Sequence, residues 1–193
     1  MMKKIFLILV TILFCAGSAF AHELPRWFTL PVSVYVPTNA YSTPVKNAFN
    51  GWQSASGRLI RFSFTSNSKM ENRTNVDVMF SDAKPSGSPY RIQARYNSHY
   101  NSFSETGYFR RVGITIYTRD ADGNKLSSSK VYSIALRAVG EAVGVKNFSY
   151  PAKSKKKAVM ASNYEYDLRT VTSDDIQALK RVYLPNYRLK TTK

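Results

Sequence analysis

Thiols, imidazoles and carboxylates are all scarce in this chain, and each scarcity removes a class of chemistry. The only cysteine is Cys15, just after an apolar stretch near the start, so the chain beyond it has no thiol for a disulfide or for nucleophilic attack. There are two histidines, His22 and His99, too few for a zinc site built from three imidazoles. Asp and Glu number 12 against 28 Lys and Arg, and residues 83–107 hold only Glu105, so no structural calcium or zinc loop is expected there. Long apolar runs are missing too. The nearest to one spans residues 5–14, too short to cross a bilayer as a helix.

That stretch has another reading. Lys3 and Lys4 precede it and Ala19, Phe20 and Ala21 come after it, which is the charge, apolar core and small-residue cleavage pattern of a secretory signal. Residues 1–21 are therefore expected to be a leader, residues 22–184 a single domain and residues 185–193 a basic tail, with the protein secreted or periplasmic. Removing 21 of the 193 residues leaves 172, enough to bury one core. The net charge of +16 falls to +14 without Lys3 and Lys4. Such an excess favours polyanions, and for an exported protein these are anionic cell-surface polymers, lipid or extracellular DNA. The densest basic run, Lys153 with Lys155, Lys156 and Lys157, reads first as a solvated loop.

Residues 31–37 alternate apolar and polar and end at a proline, which predicts a strand. Pro44 opens a helix whose stripe of Val45, Ala48, Phe49 and Trp52 recurs at helical spacing. Strands are expected at 60–66, 75–82 and 113–118. Residues 83–107, rich in Ser, Asn, Tyr and Gly with interleaved arginines, read as a loop that covers the sheet, with stacking on a sugar, base or protein as the minority reading. The turn at Asp120 to Gly123 leads into a helix that begins near Ser127. At the end, Thr172 and Asp175 form a capping-box pattern, and Ile176, Leu179, Val182 and Tyr183 give the last helix an apolar face.

Residues 136–147 read LRAVGEAVGVKN. Taken alone, this is a core helix with two glycines for close packing. In its surroundings the string has the spacing of HExxHxxGxxH, the active-site helix of metzincin peptidases. The order of elements resembles the matrixin branch of that family over nearly the whole chain beyond the leader: a strand, a helix ending in a tryptophan, further strands, the active-site helix, a Met-turn at Met160 and a terminal helix. The resemblance implies an α+β fold, with a twisted, mostly parallel sheet, an active-site helix, a Met-turn and a C-terminal helix. It also implies that strand 113–118 borders the cleft and pairs with extended substrate.

Aligned on Gly144, the three histidine positions hold Arg137, Glu141 and Asn147, and the general-base position holds Ala138. An arginine stays protonated and cannot ligate zinc, and alanine cannot accept a proton. No catalytic residue, metal ligand or cofactor is therefore expected. Arg137 and Glu141, four apart on one helix face, are expected to pair in the vacated pocket or to point to solvent. Met160 serves as an apolar filler without any metal.

These residues point to a pseudo-metallopeptidase whose former substrate cleft binds a peptide, a protein or an anionic envelope polymer. An active secreted zinc metalloendopeptidase with atypical ligands is the alternative, with zinc as its cofactor. A more distant one is a copper protein. There, His22 as a new amino terminus would join His99 in a brace resembling that of lytic polysaccharide monooxygenases. In a third class the basic surface alone carries binding. Asn72 and Asn147 head glycosylation acceptor triplets that matter only in a eukaryotic secretory pathway.

Overall fold

The computed structural model describes residues 25–96 and 108–184. The leader, His22, His99 and the 185–193 tail lie outside the described residues. So do both copper candidates. Within them the chain is α+β. Its strands are β1 (Val32–Tyr35), β2 (Phe62–Thr65), β3 (Val76–Ser81), β4 (Tyr90–Tyr96) and β5 (Phe109–Tyr117). Three helices, α1 (Ser42–Ala55), α2 (Ser128–Ala142) and α3 (Ser173–Tyr183), complete it.

The five strands form one sheet in the order β2-β1-β3-β5-β4. Four run parallel and β4 runs antiparallel to β5 at one edge. Parallel strands need covered faces because their connections cross over through helices. α1 supplies such a crossover between β1 and β2. Its buried stripe is the expected one, Val45, Ala48, Phe49 and Trp52. Phe49 meets Phe62 and Phe64 of β2 edge-on, with ring centroids 4.9 and 5.8 Å apart. The helix starts at Ser42, two residues before Pro44, because first-turn N–H groups have no partner within the helix and a proline there forfeits nothing.

Across the sheet, Val34, Val78, Val112, Ile114 and Ile116 are buried beneath the helices. Each such side chain removed from water contributes roughly 1.5–3 kcal/mol. Trp52 joins α1 to α2 by more than contact, since its indole N–H donates to the carbonyl of Leu136 at 2.7 Å. Trp27, ahead of β1, does the same at the carbonyl of Ala142, 3.0 Å away. Between them the two indoles fix both the middle and the end of α2.

Two expectations are corrected. Residues 83–107 are not one loop, because residues 90–96 form β4. Tyr-Arg-Ile-Gln-Ala-Arg-Tyr alternates strictly, with Tyr90, Ile92 and Ala94 turned inward and Arg91, Gln93 and Arg95 exposed. The strand around residues 113–118 is not the cleft border either. It belongs to β5, which lies between β3 and β4, so its hydrogen-bonding edges are taken, and among the described residues β4 is the edge strand on that side of the sheet. No helix among the described residues is long and apolar enough to cross a membrane.

Candidate functional site

α2 begins at an N-cap, Ser127, whose hydroxyl accepts from the N–H of Lys130 at 3.2 Å. It ends where Gly144 turns the chain with φ +91°. A side chain could not replace that hydrogen, because a Cβ would lie 1.9 Å from the carbonyl oxygen of Pro25. Gly140, one turn earlier, is squeezed on its other face. A Cβ there would come 2.3 Å from the sulfur of Met160 and 2.6 Å from the ring of Trp52. Met160 is fully buried and is the apolar floor beneath the helix.

Arg137 and Glu141 project from α2 toward β4. Arg137 is only 6% exposed, and a buried guanidinium needs acceptors. Its Nη1 donates to the carbonyls of Val159 at 2.9 Å and Ala161 at 2.6 Å, and its Nε donates to the Tyr90 hydroxyl at 3.2 Å. The guanidinium also stands 5.7 Å from the centroid of the Tyr164 ring, within cation–π range. Tyr90 passes the interaction on, donating its own O–H to Oε1 of Glu141 at 2.5 Å. The direct Arg137–Glu141 approach is 3.8 Å, so the expected pair forms with Tyr90 wedged beside it. Burial, then the bond to Glu141 and that group's charge, push the Tyr90 phenol well above its ordinary value. It therefore acts as a donor at any ordinary pH.

The loop that carries Met160 is held from three sides. Asp175, fully buried at the start of α3, accepts from the N–H of Val159 at 3.0 Å and of Met160 at 2.8 Å. The same carboxylate completes the capping box with Thr172, as the sequence suggested. On a second side the N–H of Phe148 donates to the Met160 carbonyl at 3.0 Å. Arg137 holds the third. A cation thus links α2, β4 and the 158–161 turn.

Over this cluster lies a groove of about 500 Å³. One wall is β4, through Ile92, Ala94 and Tyr96, with Phe109 behind; Tyr96 and Phe109 stack at 5.6 Å. The other wall is the end of α2 and the turn beyond it, through Glu141, Gly144, Val145 and Asn147. Glu141 presents 27% of its side chain to solvent, and its second oxygen has no partner among the described residues. Ala138 is buried in the core and Asn147 is exposed on the rim. A smaller hollow of about 130 Å³ lies on the opposite face of the sheet, around Asp77 and Arg111, away from α2.

The backbone of β4 is part of the groove. The N–H of Tyr117 donates to the carbonyl of Pro89 at 3.0 Å, and residues pair across β4 and β5 in a constant register up to Arg95. Antiparallel ladders alternate, so the odd-numbered residues of β4 bond to β5. The N–H and C=O groups of Ile92 and Ala94 then point away from β5, to an edge that no described strand covers.

The cluster's chemistry does not suit zinc. At the matched positions the donors are a guanidinium already spent on two carbonyls, a carboxylate already accepting from Tyr90, and a rim amide. No imidazole is among them. Tyr90 and Tyr164 are the site residues that sequence reasoning missed. The lysine run is partly neutralised, Lys156 lying 3.9 Å from Asp174 and Lys157 pairing with Asp167. Compared with models of known protein families and with curated proteins, the sequence matches none.

Proposed function

We propose that this chain is an exported protein on a metzincin-like, matrixin-type scaffold that binds an extended peptide or protein segment between β4 and α2 and leaves it uncut. The observation that carries this reading is Arg137. A permanent cation, bonded to the carbonyls of Val159 and Ala161, stands where hydrolysis needs a metal ligand. Gly144 and Met160 keep their packing roles, whereas every ligand position has changed chemistry. Water activation by a metal needs an open coordination site and a neighbouring base. Ala138 offers no base.

Binding, by contrast, needs only what the groove retains. The edge groups of Ile92 and Ala94 can hydrogen-bond an added strand, and the apolar wall can take its alternate side chains. Glu141 faces the same space with one free oxygen.

The reading is tested by incubating the purified protein with unfolded casein and zinc, cobalt or manganese in turn. The expected result is no cleavage above a protein-free control with any metal. Chelator-sensitive cleavage that disappears in Glu141→Gln would overturn it.

A further inference from the structure

The two faces of β4 differ in chemistry, and a strand laid against its edge would meet both. Ile92, Ala94 and Tyr96 line the groove. Arg91, Gln93 and Arg95 are exposed on the other face. We propose that the segment bound at this edge is acidic and amphipathic, with apolar residues alternating into the groove and carboxylates four residues apart opposite Arg91 and Arg95. The inference rests on the reading of the groove as a peptide site and specifies its ligand.

Charge complementarity carries it. Among the described residues neither arginine has an ion-pair partner, while their neighbour Arg111 is held by Asp77 at 2.6 Å. Glu71 lines the hollow beside Arg95 and pairs with neither arginine. Arg95 stands directly opposite Arg111 in the ladder, an arrangement of like charges that costs free energy unless an anion answers it. Asp77 answers Arg111. Nothing within the described residues answers Arg95.

Backbone geometry brings a ligand's charges close. Because Ile92 and Ala94 hold the edge hydrogen-bonding groups, Arg91 and Arg95 occupy the non-hydrogen-bonded positions of an antiparallel pairing. Side chains approach most closely there. The two arginines are four residues apart, roughly 13 Å along the strand, so their acidic partners fall at positions i and i+4 of the ligand.

The same charges disfavour a second copy of this chain as the occupant. Antiparallel pairing of two β4 edges about Gln93 would set Arg91 of one against Arg95 of the other. Exposed basic residues are a common guard against such self-association, and here they also select an acidic strand.

Three terminally blocked, fluorescein-labelled peptides test this by anisotropy at one ionic strength: VEVTVEV, VQVTVQV and VKVTVKV. The acidic peptide should bind about tenfold more tightly than the neutral one, and the basic one weakest. In R91Q/R95Q that tenfold difference should collapse while affinity for the neutral peptide holds. K153Q/K155Q, which removes equal charge elsewhere, should preserve the difference. Equal binding of acidic and neutral peptides would overturn the charge preference and leave the groove reading standing. An equal loss in the lysine variant would also overturn it, since bulk charge would then be the cause. Failure of all three peptides to bind would overturn both readings.

Discussion

Arg137 concentrates the chemistry of the site in one side chain. It forms two hydrogen bonds to carbonyls, one to Tyr90 and a close approach to Glu141. Removing one partner of a buried ionic network leaves the others desolvated and unpaired, so Arg137→Met should lower stability by about 3–5 kcal/mol. Urea unfolding followed by fluorescence checks this; a loss near zero would mean that the carbonyls of Val159 and Ala161 find other donors. At this scale the sequence was informative in one direction. The absence of histidine from positions 137, 141 and 147 and the i,i+4 relation of Arg137 to Glu141 could be read from the sequence. The carbonyl acceptors could not, because they lie on a loop that reaches α2 only through tertiary folding. Tyr90 was hidden for the same reason, its partner Glu141 standing 51 residues away.

Among the elements, α2 depends on the absence of side chains as much as on their presence. At Gly140 a methyl group would collide with Met160 and Trp52, both fully buried. Gly140→Ala should therefore cost about 1–3 kcal/mol by overpacking, despite the better helix propensity of alanine. A thermal melt that rises instead would show that this contact can relax. Most elements were readable from periodicity and caps: α1 from its stripe, α3 from Thr172 and Asp175, β1 from its alternation up to Pro37. Asp175 as the anchor of the Met160 loop was not, since a capping box indicates only local bonds. β4 carried a clean two-residue alternation that its Ser- and Asn-rich flanks obscured. Missing it hid the strand that ends the sheet beyond β5.

For the molecule as a whole, the basic excess says less than its placement. Lys156 and Lys157 sit beside Asp174 and Asp167, whereas Arg91 and Arg95 are left on the edge strand that borders the groove. Composition could indicate a preference for anions, but only the sheet order shows which arginines flank a binding edge. That edge is where the account stands or fails. Amide hydrogen exchange on β4, with and without saturating VEVTVEV and with zinc supplied, tests it most directly. The expected result is slowed exchange at Ile92 and Ala94 with the peptide recovered intact. Unchanged exchange at those two amides, or a cleaved peptide, would contradict it.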